Sequence, residues 1–251
     1  MISYDFPLNE RMRTLLRLED LYAKLLCFTE RSSAIDHHAA LSVLFEVLEV
    51  ASRSDLKSDL LQELERQKRQ LSALHNNPEI SELALDAVLD EIEIASSGVL
   101  NMSGKVGQHL RENEWLMGIK QRAGIPGGTC EFDLPSYHHW LHQDALLRRN
   151  YLKTWLTPML PIRDGLALIL KLLRESGKAY HYTAQQGSFQ QMQCGRVAQM
   201  LRISLDKTLP CVPEVSANKY MLNIRFIAAD YVAKSAVYDR DVAFNLTFCS
   251  L

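Results

Sequence analysis

The sequence lacks most of what would announce a chemical activity. It holds no CxxC pair: its five cysteines, Cys27, Cys130, Cys194, Cys211 and Cys249, are odd in number and irregularly scattered, which excludes a disulfide framework or a paired-cysteine zinc site and points to reduced thiols in a cytoplasm. It has almost no excess charge, 28 basic against 30 acidic side chains for a net −2, so any electrostatic recognition must come from a local cluster. No long apolar run is present either. Asp5, Glu10, Arg11 and Arg13 crowd the N-terminus, and Lys171 and Arg174 interrupt the most apolar helix, so neither a signal peptide nor a membrane span is expected.

Catalytic signatures are missing too. There is no GxSxG elbow, no cysteine in a recognisable histidine context, and no dinucleotide fingerprint behind a strand. Gly127 and Gly128 are followed by no Gly-Lys-Ser/Thr and read as a turn. His138, His139 and His142 place two imidazoles one helical turn apart, yet no HExxH pattern or cysteine pair accompanies them, so no metal and no cofactor are expected. The acidic residues of DAVLDEIEIA read as the wet side of a helix. Binding, without catalysis, is the economical reading.

What is present is apolar periodicity, in a chain of 251 residues that is 47% hydrophobic and can bury one large core or two modest ones. From about residue 8 to 176 the apolar positions recur at helical spacing, with breaks near Ser32, Asn76–Pro78, Pro126–Gly128 and Pro158–Pro161. Asp36 is placed to cap the helix that carries Leu41, Leu44, Phe45 and Leu48. Leu56, Leu60, Leu64, Leu71 and Leu74 form a seam on the next helix. After Gly177 the period becomes two: Val197, Leu201, Ile203 and Leu205; Tyr220, Leu222, Ile224 and Phe226; Val242, Phe244, Leu246 and Phe248. With the tyrosine-rich stretch at 179–183, these runs predict one small antiparallel sheet. CEFDL, at 130–134, reads as a further strand that joins it. The fold class is therefore α+β, with a mainly helical domain over 1–176 and an antiparallel β-domain over 177–251.

Basic side chains supply the candidate sites. At ~100° per residue, Arg13, Arg17, Asp20 and Lys24 share a narrow polar stripe on an otherwise apolar first helix, where pairing of Arg17 and Lys24 with Asp20 on a solvated face is the plain reading. With Leu201, Ile203, Ile224 and Phe226 facing a core, Arg196, Arg202, Lys219 and Arg225 fall on the opposite side, predicting an exposed basic sheet face, with ordinary polar-out alternation as the plain alternative. Pro135 suits a helix start, with Trp140 and Leu141 on its buried side and the histidines left as packing or partner-contact groups. Lys105, Arg111 and Arg122 add positive charge nearby, with Glu112 and Glu114 placed to neutralise it.

Two blocks, PLNERMRTLLRLEDL at 7–21 and IPGGTCEFDLPSYHHWLH at 125–142, together with DLLQELERQ, DGLALILKLLRESG and the closing NIRF, resemble in order the ZapD family of FtsZ-associated cell division proteins. The resemblance runs over nearly the whole chain. It implies a homodimer with a helical domain and a β-domain that binds the C-terminal tail of FtsZ and cross-links its filaments at the midcell division site. It further implies that Arg13, Arg17, Arg53 and Arg225 belong to the tail-binding surface and that His138 is a pocket residue. Arg111, Arg202 and Lys219 join that expected set by their charge and position. At position 221, where relatives can carry arginine, this chain has Met221. A nucleic-acid-binding module using the basic sheet face is the alternative; few exposed aromatics and a pI near 6.5 count against it.

Overall fold

A computed structural model describes the chain apart from residues 53, 54, 76, 193–197, 231, 233–235 and 251. The chain divides into two compact units, Thr14–Ile169 and a second made of Met1–Arg13 with Leu170–Leu251. The α+β class follows directly, helices filling the first unit and antiparallel strands the second.

Helix α1 (Glu10–Glu30) crosses from one unit to the other in sequence, and α2 (Ala34–Ser52), α3 (Leu56–Ser72), α4 (Glu82–Leu100), α5 (Gln108–Arg111), α6 (Glu114–Ala123), α7 (Pro135–Leu141) and α8 (Ala145–Leu156) follow. A 3-10 turn at Thr157–Met159 leads into α9 (Leu160–Glu175). Caps explain several starts: Asn113 Oδ1 accepts from Leu116 N at 3.0 Å ahead of α6, and Asp144 Oδ1 from Leu146 N at 2.8 Å ahead of α8. The cap of α2 is Ser33, whose Oγ accepts from Ile35 N at 3.1 Å. Asp36 instead lies in the first turn, where the helix dipole still favours its carboxylate, and pairs with Arg31. The predicted leucine seam of α3 is buried at Leu56, Leu60 and Leu64 and only partly covered at Leu71 in the last turn, while Leu74 lies past the helix end at Ser72 and is exposed.

The predicted strand at 130–134 does not form. Three of its amide groups bond locally instead, Cys130 N to Gly127 O and both Asp133 N and Leu134 N to Cys130 O, which curls the segment into turns. Nor does the segment turn its largest apolar side chain to a core, since Phe132 is 81% exposed. Gly128 permits the tight turn, because a Cβ there would meet the Arg122 carbonyl at 2.4 Å.

The strand unit contains two antiparallel sheets where one was expected. The first has the order β1 (Ile2–Pro7), β4 (Met200–Leu205), β7 (Val242–Cys249), β2 (Ala179–Ala184); the second has β3 (Ser188–Met192), β6 (Met221–Ala228), β5 (Cys211–Ala217). Inward side chains of both sheets make one core, with Leu201, Ile203 and Leu246 on one side, Leu222, Ile224 and Phe226 on the other, and the Phe244 ring 5.1 Å from Phe226. Full burial of such a side chain stabilises by ~1.5–3 kcal/mol. The β2–β3 hairpin passes the chain between the sheets through Gln186 and Gly187, both at positive φ. A Cβ on Gly187 would sit 2.3 Å from the Tyr238 carbonyl.

Residues 2–7 depart from the expected helical domain over 1–176, because β1 pairs along its length with β4, Asp5 opposite Arg202. Such a pairing, some two hundred residues apart, leaves no local trace. Strand β5 was missed because it carries Pro213 and Glu214; at the edge of its sheet the missing proline N–H breaks no ladder bond.

Candidate partner-binding surfaces

In the helical unit, α1 turns its apolar side inward through Leu15, Leu18, Leu21, Tyr22 and Leu25, leaving Arg17, Asp20 and Lys24 exposed. Lys24 takes Asp20, at 2.5 Å, one turn away. Arg17 has no hydrogen-bond or ion-pair partner among the described residues, so its guanidinium is available.

Arg111 Nη1 donates to the Val106 carbonyl at 2.8 Å, and its side chain lines a cleft with Asp55, Lys57 and Lys105. Lys57 is held at that cleft by donating to the Leu100 and Met102 carbonyls, at 3.3 and 2.8 Å, where the C-terminal end of α4 favours a cation. Arg53 precedes this segment and lies outside the described residues. Arg122 faces Asp133 at 3.7 Å, so neither Glu112 nor Glu114 is its counter-ion.

Helix α7 starts at Pro135 as the sequence predicts. Trp140 is buried, but its companion is Tyr137, with Leu141 only partly covered. Burial pushes the Tyr137 phenol well above its ordinary range, so it stays neutral and hydrogen-bonds His38 Nδ1 at 2.7 Å. Trp115, Trp140 and Trp155 gather beside it with ring centroids 5.7–6.0 Å apart. His138 lies on the outer side of α7, 3.9 Å from Glu131 and with its ring 4.3 Å from that of His142. Among the described residues no group of three or more His, Cys, Asp or Glu is arranged to hold a metal ion.

In the strand unit the expected basic face is not formed. Arg202 belongs to the first sheet, where it grips Asp5 with Nε at 2.7 Å and Nη2 at 3.1 Å, and Arg174 of α9 reaches the same carboxylate at 2.9 Å. Arg225 belongs to the second sheet, exposed on its outer side in register with Glu214 and Ser188, with no ion pair among the described residues. Together with Glu214, Gln190 and Asn223 it lines a shallow cleft of about 450 Å³. Lys219 is not on a strand. It sits in the β5–β6 turn closed by Asn218 Oδ1, which accepts from Tyr220 N and Met221 N, and its Nζ lies 5.7 Å from the Tyr220 ring. Arg13 is partly buried and bound to Glu10 at 3.0 Å. Arg196 lies outside the described residues.

Comparison with known proteins now decides what this arrangement belongs to. The family model ZapD, a cell division protein, matches residues 16–225. Proteins named cell division protein ZapD are 57% identical over 251 residues in an Azoarcus species, 57% identical over 254 in Dechloromonas aromatica and 56% identical over 250 in Chromobacterium violaceum. The first two cover all of both chains and the third 99% of each. The chain belongs to the ZapD family.

Membership of the ZapD family gives the protein a role in cell division, and the name its relatives share denotes no catalytic activity. Among the described residues no helix is long and apolar enough to cross a membrane. The candidate residues of this ZapD chain fall into groups that the sequence did not separate. Arg17 and Arg225 are uncommitted; Arg13, Arg111 and Lys219 have one weak or local contact each; Arg202 is consumed by Asp5. The tryptophan cluster was not singled out, and the only signal for it was the spacing of apolar aromatics on α6, α7 and α8.

Proposed function

We propose that this protein binds the C-terminal tail of FtsZ and, as a homodimer in the cytoplasm, cross-links FtsZ filaments at midcell. The observation that carries this reading is full-length family identity combined with two exposed arginines, Arg17 and Arg225, that have no counter-ion among the described residues. A solvated guanidinium with no carboxylate of its own is free to orient one on a peptide, with two parallel hydrogen bonds that a lysine does not match. Arg13, Arg53, Arg111, His138 and Lys219 add to the same attraction, while Arg202 acts through Asp5 by holding β1 in place. A two-fold dimer presents each receptor twice, so one molecule holds tails from two filaments without any chemistry.

Co-sedimentation of FtsZ filaments with the protein tests this. Bundling is expected with full-length FtsZ and not with FtsZ lacking its tail, and light scattering is expected to give the mass of a dimer. Equal bundling of tailless filaments would overturn the tail reading. Retention of single-stranded nucleic acid, with no retention of the tail, would favour the nucleic-acid alternative.

A further inference from the structure

The outer side of α7 brings two imidazoles together. His138 is partly covered and His142, one turn on, is exposed; their ring centroids lie 4.3 Å apart with the planes tilted by 44°, so the pair is not stacked face to face. What each Nδ1 does decides what each ring can offer. His142 Nδ1 lies 2.9 Å from the His138 carbonyl oxygen, which can only accept, so in the neutral ring Nδ1 carries the hydrogen and Nε2 keeps its lone pair. His138 Nδ1 faces the Glu131 carboxylate at 3.9 Å, which favours the same tautomer. Neither Nε2 has a hydrogen-bond partner among the described residues. A carbonyl or carboxylate at the far nitrogen is the arrangement that orients a metal-binding histidine and raises its basicity.

The donor set narrows the choice of occupant. Two lone pairs on neighbouring neutral rings suit a single acceptor of electron pairs, and imidazole nitrogen suits Zn²⁺, Ni²⁺ or Cu²⁺, whereas Mg²⁺ and Ca²⁺ take oxygen. With metal–nitrogen bonds of about 2.0–2.1 Å, one such ion spans two rings at this separation. Among the described residues no third His, Cys, Asp or Glu joins the pair. Glu131 stands on the Nδ1 side of His138, so it orients that ring and does not ligate, and water completes the coordination.

We propose that His138 and His142 form a two-imidazole site for a divalent transition metal of the zinc class, bound through the two Nε2 atoms with Glu131 as the positioning residue for His138. A cation held there ties α7 to the turn that precedes it, because Glu131 belongs to the 130–134 segment and both ligands to the end of the helix. The site stands independently of the tail reading given above.

The probe is Zn²⁺ alone, titrated by calorimetry into full-length protein that carries no tag and has been stripped of metal, with Co²⁺ titrated in parallel because its visible absorption reports the ligand set. One ion per chain is expected. His138→Ala and His142→Ala are each expected to weaken binding about tenfold or more, and Glu131→Gln, which keeps the size and removes the charge, several-fold. His139→Ala is the first control, since that ring is bonded to Gln143 Nε2 at 3.1 Å, and should leave the affinity unchanged. Cys27→Ser and Cys130→Ser are the second, because both thiols are exposed and soft enough to compete for the ion. Thermal unfolding without metal is expected to match the wild type in every variant, so a lost heat reads the site and not the fold. No heat above that of dilution in the wild-type protein would overturn the inference. So would wild-type affinity in both His138→Ala and His142→Ala, or thiolate absorption from Co²⁺ that disappears in a cysteine variant and persists in the histidine ones.

Discussion

In the strand unit one carboxylate, Asp5, accepts from two arginines and joins β1, β4 and α9, whereas in the helical unit one buried arginine, Arg148, donates to four acceptors. Its Nε bonds His37 Nδ1 at 2.9 Å, Nη1 bonds the carbonyls of Leu141, at 2.8 Å, and Gln143, and Nη2 bonds the Ser32 carbonyl at 2.8 Å. Each is a hub built from charge, but with opposite polarity. A sheet edge has an in-register neighbour at every residue, so a carboxylate finds arginines across the ladder; the ends of α1 and α7 expose carbonyls, so an arginine finds them. The lesson for function is that a basic residue is available to a partner only when neither kind of acceptor lies within reach. Arg17 and Arg225 have no ion pair among the described residues, Arg225 although Glu214 stands across the ladder at an exposed position, whereas Arg148, Arg174 and Arg202 are bound in the two hubs.

The largest test of this contrast is Arg148→Met. It strands a buried imidazole nitrogen and three carbonyls, and a loss of ~3–5 kcal/mol is expected, the cost of opening a buried charged network. Urea unfolding followed by tryptophan emission reads it, because all three tryptophans lie in that unit; an unchanged midpoint would remove Arg148 as a hub. Asp5→Ala is the matching test in the strand unit. It removes the carboxylate that accepts from both Arg202 and Arg174 at a partly solvated site, and about 2 kcal/mol is expected, with faster proteolysis of β1.

Next come the uncommitted arginines. Arg17→Glu and Arg225→Glu are each expected to cost ~1–3 kcal/mol in tail affinity while leaving thermal unfolding unchanged, because each turns an attraction into a repulsion. Arg69→Glu is the control, exposed and already paired with Glu65 at 2.8 Å, and should change tail affinity little. If all three variants bind alike, availability is not what distinguishes these side chains. Added salt should weaken tail binding through the same partly exposed pairs.

The smallest effect is on pH. His37 is buried, with Nε2 on the Arg31 carbonyl at 2.8 Å and Nδ1 taking a hydrogen from Arg148, an arrangement that requires the neutral ring. Burial first, then the charges of Arg148 and Arg149, hold its pKa below the usual 6.5. The unfolded chain therefore binds the proton more readily. The stability His37 contributes is complete above about pH 6.5 and is lost as pH falls through the folded value. Unfolding temperatures at pH 7.5 and 5 should differ less in His37→Asn than in the wild-type protein, and an equal difference would assign the acid sensitivity elsewhere.

Helical and strand periodicity, the change of period after Gly177, the proline start of α7 and the burial of Trp140 were legible in the sequence, because each depends on contacts within one element or one face. The resemblance of the two long blocks brought the family into view before any coordinate. Which basic side chains are uncommitted was not legible, since Arg202 and Arg225 have the same alternation and differ only in what stands across the ladder: Asp5 from the other end of the chain in one case, Glu214 at an exposed position in the other. Nor was the second sheet, because inward alternation states that a strand has a core face without stating which sheet supplies the other half. By itself the sequence determined the elements, their apolar faces and the family. The tertiary structure alone decided the pairing of β1 with β4, the two hubs, the gathering of three tryptophans beside α7, and which arginines have no ion pair among the described residues, because each of these depends on groups distant in sequence whose meeting only the closed fold specifies.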